Sequence, residues 1–240
     1  MIRAYLIALA ISLLTGVLLV KIGRIQPDHL FEASTRRVSH VLPVFDLGTR
    51  LGIDLGALLF GWNVLGAFAT MSFVYSAALF NPDRMNLSPR GIRRIFCGSR
   101  RMALLCYLPG CSKIEEESLR RLYVWLMVPF LGIILLGIES GLQVSTMAYM
   151  RGSFLSAIMA LLPHGLIEIP TFTLAGAVTF SAHLRVRDAA QRNATQAAFQ
   201  QITTHRQALP IRTIAFSVIS GLLVAGLVEA HVTPRLMHIF

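Results

Sequence analysis

His164 and Glu168 stand four residues apart in Leu161-Leu162-Pro163-His164-Gly165-Leu166-Ile167-Glu168-Ile169-Pro170, inside an apolar run that reads from Ser153 to His183. On a helix that spacing puts both side chains on one face. An imidazole and a carboxylate one turn apart can relay a proton, hold an ion, or fasten neighbouring helices together. Each flanking proline removes a backbone donor and crowds the carbonyl four residues back, which predicts a kinked or broken helix. An ionisable group in hydrocarbon costs about 3 kcal/mol or more unless it is paired, hydrated or turned inward. The pair is therefore a candidate site, and the rest of the chain must shelter it.

Other polar groups fall at comparable depth in apolar runs: Asn63, Glu139 with Gln143 four residues on, and Glu229. Gly165 lies between the two members of the pair. Three readings of this intramembrane polar set stay open. It can be a hydrogen-bonded network that fixes helix packing, a proton or ion relay, or a metal or general acid–base site. For a metal, His164 and Glu168 alone are too few ligands, no second histidine lies at helical spacing, and there is no HExxH. No metal or cofactor is expected. His183 is at the far end of its helix, while His205 and His231 read as loop or terminal positions. Neither a nucleophile elbow nor a Ser-Lys pattern is present, so no catalytic residue is assigned.

The chain that must position these groups has 240 residues, 55% hydrophobic and only 14% charged, with a mean hydropathy of +0.64. A soluble domain carries roughly a quarter charged residues. Several runs reach the ~20 residues that cross a ~30 Å hydrocarbon core. The expected fold is all-α, a polytopic transmembrane bundle of about five spans near residues 4–22, 53–80, 122–147, 153–183 and 211–232, forming a single integral membrane domain. The fourth span is proline-kinked or re-entrant, being too long for one straight crossing. A short surface helix is expected within 25–51, and a basic cytoplasmic loop over 83–121, with Ile92, Ile95, Phe96, Met102, Leu104 and Leu105 among its arginines. Ser112 and Glu115 resemble a capping box opening the third span. Residues 185–208 read as a cytoplasmic helical segment.

Counting Lys and Arg by loop puts fifteen on one side and seven on the other. The positive-inside rule then sets the N-terminus in the cytoplasm and the C-terminus outside, with the chain in the cell membrane. The net charge of +10 follows from those loops, so nucleic acid is not an expected partner; the lipid bilayer is. The sequons at Asn86 and Asn193 then face the cytoplasm and carry no meaning. Cys97, Cys106 and Cys111 are odd in number and lack CxxC spacing, so neither a zinc site nor a disulfide framework is indicated.

Two stretches carry a resemblance. Leu162-Pro163-His164-Gly165-Leu166-Ile167-Glu168-Ile169-Pro170, followed by Ala175-Gly176-Ala177, resembles the PHG..E signature of the stage II sporulation protein M family. The closing Leu223 to Pro234, with Glu229 followed by Thr233-Pro234, is similar to that family's last helix. His164, Gly165, Glu168 and Glu229 are the matching positions. Asn63 corresponds loosely to an asparagine-bearing second helix, with Trp62 where members often carry a second asparagine. Glu139-Ser140-Gly141 stands where an Asn-Gly pair is common. The resemblance implies a membrane scaffold that positions membrane or membrane-associated proteins; in spore formers such partners degrade septal peptidoglycan. A transporter or channel-like protein with a His/Glu relay is the second reading, and an intramembrane hydrolase the third.

Overall fold

The computed structural model describes residues 1–81 and 110–237. The arginine-interleaved stretch, the Asn86 sequon, Cys97 and Cys106 lie outside the described residues. The described residues are almost all helical, with no strand among them. In order come α1 (Ile2–Lys21), α2 (Pro27–Ser39), α3 (Leu42–Arg50) and α4 (Leu55–Ser76), the last extended by a 3₁₀ turn at Ala77–Phe80. After a 3₁₀ turn at Cys111–Lys113 follow α5 (Glu117–Arg151), α6 (Phe154–Gln191), α7 (Thr195–Ala208) and α8 (Ile211–Leu227). A π turn at Val228–Val232 then leads into α9 (Thr233–Met237). Five helical segments are long and apolar enough to cross a membrane: Ile2–Lys21, Leu55–Phe80, Glu117–Arg151, Phe154–Gln191 and Ile211–Leu236.

Three local expectations change. The segment after α1 forms two short helices, not one. Pro43 fits the first turn of α3, where its missing N–H costs nothing, and the turn at His40-Val41 separates α3 from α2. The α5 helix opens at Glu117 rather than at a Ser112–Glu115 box. Just before it, the backbone N–H groups of Glu115 and Glu116 are accepted by the side-chain oxygen of Asn193, at 2.9 and 3.4 Å. The α6 helix is one continuous helix of 38 residues with Pro163 and Pro170 inside it. The re-entrant alternative is thereby removed. The hydroxyls of Thr171 and Thr173 bond the carbonyls of Ile167 and Pro170 beside the second proline, while the carbonyl that Pro170 itself leaves without a donor is that of Leu166. At 1.5 Å per residue α5 and α6 are about 52 and 57 Å long, well beyond the ~30 Å hydrocarbon core.

The contacts divide the chain into two units: Met1–Ala67 with Gly132–Leu174 and Arg212–Phe240, and Phe68–Leu131 with Ala175–Ile211. Small residues bring the helices of the first unit together. The buried stripe of α1 is Tyr5, Ala8, Ser12 and Gly16, and it meets Gly137, Gly141 and Ser145 of α5. A Cβ on Gly137 would sit 2.6 Å from the Tyr5 carbonyl oxygen, and one on Gly141 would strike Ser12 and the α1 backbone. Ser12 also donates to the Gly137 carbonyl at 3.3 Å. Val144 and Ala148 of α5 bury against Ala157 of α6, with Leu13, Met147 and Leu161 around them. At Gly226 of α8 a Cβ would lie 3.0 Å from the carbonyl oxygen of Gly56 in α4. Close backbone approach through glycine, alanine and serine is the usual means of holding helices where lipid removes the hydrophobic drive.

Aromatic packing dominates the second unit. Trp125 packs tilted against Phe73 at 4.5 Å between centroids and donates its indole N–H to the Phe73 carbonyl and the Ser76 hydroxyl. Phe180 stacks with Phe130 at 4.7 Å and with His183 at 5.5 Å. Thr179 donates to the Thr70 carbonyl at 2.9 Å. The α7 helix is fastened by Ser181 and His205, 2.9 Å apart, and by Thr195 on the Glu116 carboxylate. Burial first, and then the charge of Arg185, hold the His205 imidazole below its usual range.

Two outcomes are expected. Gly141→Val should destabilise the solubilised protein by about 2 kcal/mol through overpacking, whereas Gly132→Val, with nothing within 4 Å of its Cβ, should change stability by less than about 0.5 kcal/mol; unfolding in denaturant reads both. The neutral His205 imidazole contributes stability that is complete above its unfolded pKa of about 6.5 and is lost as pH falls toward the depressed folded value. Thermal unfolding at pH 7.5 and 5.5 should therefore show a smaller acid-induced loss in His205→Gln than in the parent.

Candidate functional site

Three helical segments of the first unit supply the polar groups. His164 and Glu168 lie 10 and 14 residues into α6, about 15 and 21 Å along its axis. Asn63 lies eight residues into α4. Glu229 lies on the π turn after α8. Such a turn carries an extra residue, shifts the face on which the following side chains emerge, and recurs at functional positions in helices.

The structure brings three of the sequence-predicted residues together. One ligating atom each from His164, Glu168 and Glu229 lie within 4.8 Å of one another, and all three side chains are partly buried. Asn63 Nδ2 donates to Glu168 Oε1 at 3.2 Å, which leaves the second carboxylate oxygen uncommitted by that bond. Thr233 Oγ1 lies 3.4 Å from His164 Nδ1 and donates its proton to the Val228 carbonyl at 3.2 Å. A hydroxyl has one proton. With that proton on Val228, the Thr233 oxygen accepts from His164 Nδ1–H, and the lone pair of the neutral imidazole sits on Nε2.

Glu139, on α5, lies outside this triad of ligating atoms. Gly165 is buried, yet a Cβ there would meet only Leu161 and Ile169 of its own helix, at 3.4 Å or more; no neighbouring helix requires a glycine at this position. Two residues that the sequence did not single out for the site belong to it. Thr233 orients the imidazole. Tyr5 of α1 is 1% exposed, its hydroxyl makes no hydrogen bond of normal geometry, and it interacts with Ser140 and, electrostatically, with Glu168. No spacing rule links Tyr5 to a helix more than 150 residues away, whereas Thr233 carries a visible sign in the Thr-Pro that closes the last span. At the edge of the unit, Asp54 caps α4 by accepting from the N–H groups of Gly56 and Ala57. Its other oxygen is 3.4 Å from His231 Nε2.

Among the described residues, none of the ion pairs to lysine or arginine involves Glu168 or Glu229. Two carboxylates close together in a medium poor in water repel each other strongly. One imidazole with an available lone pair neutralises neither. The arrangement is suited to taking up positive charge, whether as protons or as a cation.

A search of curated proteins and a search of solved structures each found no match. The model of the family described as stage II sporulation protein M matches residues 6–234 of the 240. The match spans nearly all of α1, the α6 pair and the Glu229 turn alike, and the chain belongs to the stage II sporulation protein M family.

Proposed function

We propose that this multi-pass membrane protein is a scaffold that positions partner proteins at the cell membrane, with its N-terminus in the cytoplasm and its C-terminus outside. The fifteen-to-seven distribution of Lys and Arg supports that orientation. On that orientation Arg120, Arg121, Arg185, Arg187, Arg192 and Arg206 belong to the cytoplasmic side.

The observation that carries the reading is a cleft in the second unit. Its volume is about 330 Å³, and Tyr75, Asn81, Phe199, Ile202, Thr203 and Arg206 are among its lining. The Arg206 guanidinium lies 4.9 Å from the centre of the Tyr75 ring, a cation–π pair that holds the charge at the cleft. Phe199 and Ile202 are buried on α7, and α7 is itself held by the Ser181–His205 and Glu116–Thr195 contacts. A recess of mixed apolar and polar lining beside an arginine suits a short peptide segment that pairs an apolar side chain with an acidic one.

A second reading, a proton or ion relay, is favoured by the approach of Glu229 to His164 and Glu168. The two part on one pair of measurements. With a photo-crosslinking residue replacing Thr203 in native membranes, the scaffold reading expects a discrete protein adduct that falls at least tenfold with Arg206→Glu, and no proton flux in proteoliposomes that depends on Glu168. An adduct indifferent to Arg206→Glu, or a flux abolished by Glu168→Gln, would sink it.

A further inference from the structure

The sequence offers two metal ligands one turn apart; the fold adds a third from a helix end 61 positions later. We propose that His164, Glu168 and Glu229 bind one divalent transition-metal ion of the zinc class between α6 and the π turn. The site lies in the first unit and owes nothing to the cleft around Arg206.

Tetrahedral zinc with bonds of 2.0–2.1 Å sets its ligand atoms about 3.4 Å apart. The three atoms here are within 4.8 Å of one another, so modest side-chain rotation closes them on an ion. The donor set is one imidazole and two carboxylates. Imidazole disfavours magnesium and calcium, which take oxygen, and the lack of thiolate disfavours copper(I). Three protein ligands also leave a fourth position for water, in the manner of open zinc sites rather than closed structural ones.

The surroundings point the same way through contacts separate from the triad. A metal-bound histidine characteristically donates its other N–H to an oxygen that fixes ring and tautomer. Ligation through Nε2 leaves Nδ1 to Thr233 Oγ1, whose own proton is directed to Val228. A ligating carboxylate is characteristically hydrogen-bonded on its free oxygen, as Glu168 Oε1 is by Asn63. The buried Tyr5 side chain also lies within electrostatic reach of Glu168. No lysine or arginine ion pair of the described residues supplies the charge that Glu168 and Glu229 need.

The test uses the full chain in detergent micelles, stripped with chelator and titrated with Zn²⁺, and with Co²⁺ as a visible-absorbing reporter. One equivalent should bind saturably, and Co²⁺ should show the intense d–d bands of four-coordination. Glu168→Gln and Glu229→Gln should each weaken binding at least a hundredfold. Asn63→Leu and Thr233→Val should weaken it about 10- to 100-fold without abolishing it. Glu117→Gln, in the second unit, should leave it unchanged. Thermal unfolding of each apo variant identifies any that fails to fold, and the parent titration stands whatever the variants do. Absence of saturable uptake by the parent, uptake that survives Glu168→Gln in a folded chain, or equal competition by Mg²⁺ would each overturn the proposal.

Discussion

A carboxylate kept from water needs a positive or hydrogen-donating neighbour, and Glu168 is the group on which that requirement falls most heavily. The first unit gathers around the half of α6 that carries it. The α4 helix supplies Asn63, the turn after α8 supplies Glu229, and Tyr5 of α1 lies within electrostatic reach. None of these neighbours brings a full positive charge. The site is thus held by donors and left short of a cation, which separates it from a salt-bridged lock between helices.

Helix contacts elsewhere in the unit serve the same end by letting backbones come close. The α1 stripe of Tyr5, Ala8, Ser12 and Gly16 fits against Gly137, Gly141 and Ser145, and this is the contact that delivers Tyr5. Gly56 and Gly226 bring α4 and α8 together, and Glu229 emerges three residues beyond that crossing. Close packing and site geometry are therefore one construction: a bulkier residue at Gly226 would move a carboxylate as well as a helix. The π turn adds the last adjustment by re-aiming Glu229 after an otherwise regular α8.

Much of this was legible in the sequence, for reasons that vary with the residue. Five apolar stretches announce five long helices because hydrocarbon admits little else. His164 and Glu168 announce themselves by spacing. Glu229 was visible as a residue type out of place, but its approach to the pair is tertiary and has no local sign. Tyr5 gave no signal at all, since a tyrosine in a first span reads as packing. The continuity of α6 was hidden because prolines mark a break locally, while the protein around a membrane helix can carry it through them. The opening of α5 was misplaced because its flanking N–H groups are satisfied by Asn193, a residue distant in sequence.

Everything said of the site depends on the meeting of the α6 pair with Glu229, and proximity in native membranes tests it most directly. In a background with Cys97, Cys106 and Cys111 replaced by serine, Glu168→Cys with Glu229→Cys is treated with a short bifunctional thiol reagent. The chain is then cut at a protease site placed between α6 and α7. Gly56→Cys with Ala230→Cys is the positive control, because a Cβ on Gly56 would lie 3.3 Å from the Ala230 Cβ. Both pairs are expected to bridge the two fragments. Bridging by the control pair alone, with Glu168→Cys and Glu229→Cys left separate, would contradict the meeting of α6 with the last turn.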